Sequence, residues 1–429
     1  MNEVLATGIW IALGFLATAV AQTRLSGPDR RVLWWCFWAH VVSVFVLIWL
    51  TFQFFGRGDL EVYYYYGEGL ADYIRQDPGR WAPEVLGLIL QQDVDLPMDV
   101  FGTEGSSTTS LIGMTAFALI LTGSSQYASG LLFSLLALSG QFALYLGVRD
   151  HFGEAYRRRV LIAVFLVPSA VFWTSGVVKE AVTLAGMGWM IFGLNAWITT
   201  GTHRVRGLFW ILAGGVLVAI SKAYVLFPMT VAALTWWFWE RSLRIHGRVV
   251  IASRPFYLIG AAGLSVVAMV GLGELFPRYS LDSLAQEAAQ LQETGERITG
   301  GSSYAMGDAG ATSLSQQLTF APVALTAALF RPFLFEAHNP VALINALETT
   351  AVLLMWWWIL KTRGLRGAWR ALTSSPILVF SAVFVLLFAL GVGLATTNLG
   401  TLSRYRVPMM PLYALVLLSL LPSTGAPQR

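Results

Sequence analysis

The sequence predicts an all-α protein, a polytopic transmembrane helix bundle of about 11 spans with two interfacial or re-entrant helices and no large soluble domain. Composition is the first reason. Of 429 residues, 56% are hydrophobic and only 12% are charged, against about 25% charged in soluble domains. The second reason is run length. Apolar runs at 33–55 and 341–360 each exceed the roughly 18 residues that cross a hydrocarbon core. A chain built largely of such runs reads as one integral membrane domain over 1–429. The third reason, the placement of positive charge, also orients the bundle.

The spans fall at 4–21, 33–55, 131–148, 160–176, 181–198, 208–220, 225–239, 255–273, 341–360, 376–396 and 407–421. The first resembles a signal peptide, since Ala19-Val20-Ala21 mimics a cleavage site. However, Met1-Asn2-Glu3-Val4 offers no positive n-region, so a retained span is expected. Segments 111–121 and 320–330 are apolar but too short to cross, which fits interfacial or re-entrant helices. Cys36, the only cysteine, lies inside an apolar run and reads as a core hydrophobe. One cysteine allows neither an internal disulfide nor a cysteine-ligated metal site. No Asn-x-Ser/Thr sequon occurs.

Positive charge is uneven along the chain. One set of loops carries Arg24, Arg30 and Arg31; Arg149 and Arg157 to Arg159; Arg204 and Arg206; Arg241, Arg244, Arg248 and Arg254; Lys361, Arg363, Arg366 and Arg370; and Arg429. These make up 18 of the 28 basic residues, and the same loops hold only the acids Asp29, Asp150, Glu154 and Glu240. The positive-inside rule makes these loops cytoplasmic, with the N-terminus outside and the C-terminus inside. If 111–121 or 320–330 crossed fully, the alternation would break. The outer face is then built from two long segments, 56–130 and 274–340, while every cytoplasmic connection is short. Function concentrates where sequence is invested in loops.

The first outer segment opens with Asp59 and Glu61 directly after a span. A carboxylate at the membrane boundary can serve as a general base, since partial burial raises its pKa. Together the two acids can also hold a divalent cation, Mg or Mn, beside a phosphate. No other cofactor is expected. Alternatively, Asp59 caps the next helix and Glu61 is a solvated first-turn acid. Tyr63 to Tyr66 read as an interfacial aromatic belt, with a sugar platform as the alternative for Tyr63. The acids at Asp93, Asp95 and Asp99 lack the glycine and terminal glutamate of an EF-hand, so they read as a solvated surface.

Five outer cations sit at the ends of apolar segments: Lys179, Lys222, Arg331, Arg404 and Arg406. Charge there is costly unless paired or solvated, and such cations suit an anionic lipid head group, above all a pyrophosphate. Their contexts favour exposed backbone donors. The stretch Pro168 to Glu180 turns between two spans, Ser221 to Tyr224 forms a tight connection, and Ser403 to Pro408 opens the last span. Both guanidiniums of that last motif are expected near one helix start, where the dipole favours anions. Segment 281–297 reads as a short amphipathic helix and 299–315 as a Gly/Ser-rich stretch. With 320–330 and the Glu336 and His338 region, they resemble a lid over a site. His338 is a candidate acid or base. Glu180 is a candidate beside Lys179, and Glu348, inside a span, is a candidate site residue or a buried hydrogen-bond partner.

There is no Walker loop, His-Glu-x-x-His or Gly-x-Ser-x-Gly motif. Cytoplasmic loops this short hold no nucleotide-binding domain, and no nucleic-acid partner is expected.

An aspartate just after an early span, a long first outer loop, the Phe172-Trp173-Thr174-Ser175-Gly176 turn with a nearby acid and base, and Arg404-Tyr405-Arg406-Val407-Pro408 before the last span together resemble the polytopic glycosyltransferases of the GT-C class. The resemblance covers most of the chain as architecture, through short and degenerate motifs. It implies a multi-pass protein of the bacterial cytoplasmic membrane that moves a sugar from a polyprenyl-phosphate carrier to a glycan, lipid or protein acceptor outside. It implies Asp59 as catalytic carboxylate with Glu61 as a second member, and inversion at the anomeric carbon. Lys179, Lys222, Arg404 and Arg406 match donor-phosphate contacts by position. The family usually has its aspartate after the first span and a cytoplasmic N-terminus, whereas here one span precedes that unit. Two other readings remain. An O-antigen-type polymerase or ligase using undecaprenyl-pyrophosphate glycans would need the cations more than Asp59. A lipid-linked-sugar flippase or transporter would need a polar path, and the spans are nearly free of charge in their cytoplasmic halves.

Overall fold

A computed structural model describes residues 2–54, 58–100, 106–200, 204–246, 319–396 and 398–422. The predicted span 255–273, the segments 281–297 and 299–315, and Arg57, Arg278 and Arg297 lie outside the described residues. Among the described residues the architecture is all-helical, and seven segments are long and apolar enough to cross a membrane. One of them, Arg204–Ile245, contains two helices separated at Ala223–Val225.

The helices in order are α1 (Glu3–Ala21), α2 (Gly27–Gln53), α3 (Gly58–Gln76), α4 (Pro78–Ile89), α5 (Ser107–Thr122), α6 (Gln126–Val148), α7 (Arg157–Phe165), α8 (Pro168–Phe172), α9 (Lys179–Asn195), α10 (Arg204–Lys222), α11 (Leu226–His246), α12 (Ala321–Phe330), α13 (Pro340–Thr373), α14 (Pro376–Ala395), α15 (Leu399–Tyr405) and α16 (Met410–Leu420). They fall into two compact units. The first comprises Met1–Gly147, Ala170–Gly193 and Val205–Ala223; the second comprises Val148–Ser169, Leu194–Arg204 and Tyr224–Arg429.

Side-chain pairs fix helix directions inside the first unit. Asp29 meets Tyr145, Cys36 meets Gln141, and His40 meets Gln141 and Ser134. Numbers rise on α2 as they fall on α6, so the two run antiparallel. Helix α1 runs parallel to α6: Glu3 bonds Ser125 and Tyr127, and Gly14 faces Leu135. Helix α9 also runs parallel to α6 and antiparallel to α10, through glycine contacts that admit no Cβ. A Cβ on Gly188 would lie 1.9 Å from the Gly140 carbonyl oxygen, and one on Gly186 would lie 2.6 Å from that of Gly214.

Residues 54–125 therefore leave and rejoin the bundle at the same end. There α3 packs along α5 and α4. Its buried positions Leu60, Tyr63, Tyr64, Gly67, Leu70, Ala71 and Ile74 form one helical stripe. The four tyrosines divide accordingly. Tyr63 and Tyr64 are core residues, and only Tyr65 is exposed as a belt would require. The Tyr64 hydroxyl donates to the Gln126 carbonyl at 2.7 Å. Burial, with the nearby Glu3 and Tyr127, pushes this phenol above its ordinary value.

In the second unit α13 and α16 are parallel, through Glu348–Arg406, Trp356–Tyr413 and Arg363–Leu420, while α11 and α14 are antiparallel, through Tyr224–Phe388 and Trp236–Phe380. Helix α13 has 34 residues, too long for one span, and Gly364 (φ 62°) breaks it ahead of Arg366 and Arg370.

The predicted span 160–176 is not a continuous helix. Helix α7 ends at Phe165 and α8 begins at Pro168. Proline lacks the N–H that would continue the ladder and pushes Val167 out of the helical region.

Candidate functional site

In each unit the candidate residues gather at one end. In the first unit that end holds the start of α3, the N-termini of α5 and α9 and the C-terminus of α10. Lys222, the last residue of α10, donates to Glu180 Oε1 at 2.9 Å, and both side chains are buried. Helix dipoles favour this arrangement, with the acid in the first turn of α9 and the cation in the last turn of α10. Thr183 and Ser221 join hydroxyls at 2.9 Å beside the pair. Lys179 donates to Ser107 Oγ at 3.0 Å and Thr108 Oγ1 at 2.9 Å, which ties α9 to the first turn of α5. Asp59 lies exposed in the first turn of α3 and Glu61 is half-buried. No group of three or more His, Cys, Asp or Glu side chains suited to a metal ion occurs among the described residues.

In the second unit Arg331 and Glu336 form a two-pronged ion pair, with Nε to Oε2 at 3.2 Å and a shorter Nη2–Oε1 contact. The Phe333 amide also donates to Glu336. Burial pushes this carboxyl up, but the Arg331 hydrogen bonds, the Phe333 amide and the Arg331 and His338 charges outweigh it and hold its pKa below the ordinary range. His338 itself is exposed. Glu348 accepts from the Ser169 amide at 2.8 Å and the Ser169 hydroxyl at 2.7 Å. This half-buried carboxylate also approaches Arg406, whose Nη2 lies 3.9 Å from Oε1.

Arg406 is the most unusual of these side chains. It is 1% exposed, its Nη1 donates to the Arg331 carbonyl, and Nε and Nη2 make no hydrogen bond to any described residue. Five donors on a buried, permanently charged group call for more acceptors than this.

Arg404 and Arg406 lie just ahead of the last apolar helix, Val407–Leu420. Arg404 is in the last turn of the separate short helix α15, while Arg406 caps the C-terminus of α15 and N-caps the 3-10 turn Val407–Met409 that leads into α16. At the C-terminus of α15 the dipole stabilises the Arg404 cation.

Comparison with protein-family models, with curated proteins and with solved structures finds no match to this chain.

A buried polar column that no sequence motif marks lies in the first unit. His40 Nδ1 lies 2.9 Å from Ser134 Oγ and 2.8 Å from Ser175 Oγ, and its Nε2 lies 2.8 Å from Gln141 Oε1. Further along, Tyr145 donates to Asp29 at 2.6 Å. The signal was present in the matching offsets: Asp29, Cys36 and His40 on α2 against Tyr145, Gln141 and Ser134 on α6.

Proposed function

We propose that this chain is a GT-C-type membrane glycosyltransferase of the bacterial cytoplasmic membrane, taking a sugar from a polyprenyl-phosphate carrier and passing it to a glycan, lipid or protein acceptor outside. In this reading it has about 11 spans, an outer N-terminus and no large soluble domain. The observation that carries it is Arg406, a buried guanidinium with unfilled donors at the same end of its unit as Arg331, Glu336 and Glu348. A donor phosphate supplies the acceptors such a group lacks. Asp59 and Lys179, at one end of the first unit, are the second strand of support.

The step balances simply. Asp59 takes the proton of the acceptor hydroxyl, whose oxygen bonds to the anomeric carbon with inversion. The bond from that carbon to the phosphate oxygen breaks, and the electron pair leaves on polyprenyl phosphate, where cations stabilise it. Asp59 and Glu61 would hold Mg or Mn if the phosphate carries one.

The exposure of Asp59, beside the burial of Lys222 and Arg406, favours one second reading, a polymerase or ligase acting on undecaprenyl-pyrophosphate glycans. One experiment separates the two. Purified protein in liposomes is given labelled undecaprenyl-phosphate-linked sugars, and transfer and carrier binding are measured. For the transferase, Asp59→Asn abolishes transfer, by about a thousandfold or more, and leaves carrier binding intact, whereas Arg406→Ala weakens binding. Activity surviving in Asp59→Asn but lost in Arg404→Ala and Arg406→Ala favours the polymerase or ligase. Undecaprenyl phosphate bound no better than a common phospholipid sinks both.

A further inference from the structure

Past the break at Gly364, residues 365–373 continue α13 as a separate helical segment. It is held to the second unit on one side only. Ala368 is buried, and the Trp239 indole donates to the Thr373 carbonyl at 3.3 Å. The outward side has two rows. Leu365 and Trp369, one turn apart, are 77% and 56% exposed. Arg366 and Arg370, also exposed and one turn apart, lie about 100° further round the helix. No acidic residue occurs in 349–374.

The turns before the break mark the water boundary. Trp357 and Trp358 are exposed, and Lys361 Nζ lies over both rings, 4.8 Å and 5.9 Å from their centroids. A tryptophan pair with a lysine reaching out over it is the pattern of a helix leaving hydrocarbon for head groups. The segment 365–373 therefore begins at head-group level. We infer that its outward side is a docking surface for anionic phospholipid, with Leu365 and Trp369 set against the first acyl carbons and Arg366 and Arg370 on the lipid phosphates. Charge complementarity selects this occupant. A zwitterionic head group brings no net charge to the two arginines, and a soluble acidic partner leaves the Leu365–Trp369 row in water. The surface lies at the opposite end of the second unit from Arg331 and Arg406, so it is independent of the transferase proposal.

The test reads lipid identity beside this one segment. In a Cys36→Ala background, Leu365→Cys carries a bimane fluorophore, which keeps an apolar group in place. The full chain is placed in phosphatidylcholine nanodiscs with a small, equal fraction of phosphatidylglycerol or phosphatidylcholine bearing the same acyl-chain spin label as quencher. Labelled phosphatidylglycerol should quench several-fold more, from roughly fivefold per cation. Arg366→Gln with Arg370→Gln should abolish the preference, the paired Arg→Lys changes should keep it, and high salt should shrink it. A bimane at Leu347, exposed toward the other end of α13, should show no preference. Circular dichroism and gel filtration confirm that each variant is folded. Equal quenching by the two lipids with both arginines present overturns the inference. So does a preference that survives in the folded Arg366→Gln, Arg370→Gln variant, or one of equal size at Leu347.

Discussion

Lys222 and Glu180 show how a charge survives inside an apolar bundle. Each loses water, and each recovers part of that loss from the other and from the helix end on which it sits. Removing one partner strands the other. Lys222→Met should therefore destabilise the protein by about 3–5 kcal/mol, read as the thermal unfolding midpoint in detergent. The double change Glu180→Gln with Lys222→Met should regain most of that, because no uncompensated charge remains. Equal loss in the single and double variants would show that the pair is not coupled. Arg406 differs from this pair. Its one strong bond goes to a backbone carbonyl, and the nearest carboxylate is already committed to Ser169.

Helix α9 is held by glycine at four close approaches, two toward α6 and two toward α10. Close backbone approach is the usual way for helices to associate in lipid, where apolar burial between helices drives little. Gly188→Ala places a methyl group against the Gly140 backbone, which cannot swing aside as a side chain can. It should cost about 3 kcal/mol. Gly215, on α10, has nothing within 4 Å of its would-be Cβ, so Gly215→Ala should be neutral or stabilise by up to about 1 kcal/mol. Thermal unfolding of the two variants in the same detergent checks the contrast. Similar midpoints would mean that the α6–α9 contact is not tight.

Across the molecule, the helix directions bear on how the chain is threaded. Antiparallel α2 and α6 mean that α3, α4 and α5 make no net crossing, although α5 is a 16-residue apolar helix. The basic residues follow suit within the second unit. Arg159 and Arg363 cap the last carbonyls of α16, while Arg331 and Arg406 lie at the opposite end. The chain offers a direct check, because Cys36 is its only cysteine. In a Cys36→Ala background, a cysteine at exposed Tyr65 should react with a membrane-impermeant maleimide added outside whole cells. One at Leu365, also exposed, should react only after lysis. The reverse pattern would invert the orientation, and labelling of both from outside would break the threading.

Much of this was legible in the linear pattern. Length and apolarity set the membrane class, and the crowding of arginine into alternate loops set helix directions that the side-chain pairs of both units repeat. These signals survive in one dimension because crossing a bilayer is a property of a single segment, decided by its own hydrogen bonds and transfer energy. The site was legible only as a set of suspects. Composition marked Lys179, Lys222, Arg331 and Arg406 as costly, but could not say that Lys222 would meet Glu180, that Arg331 would meet Glu336, or that Glu348 would be engaged by Ser169. Nor could it say that Arg404 would fall in the last turn of a separate short helix just ahead of the last span. His40 went unnoticed because one polar residue in a long apolar run has no partner until another helix brings one. Which charges are paired is decided by helices far apart in sequence, through packing that only the folded chain supplies.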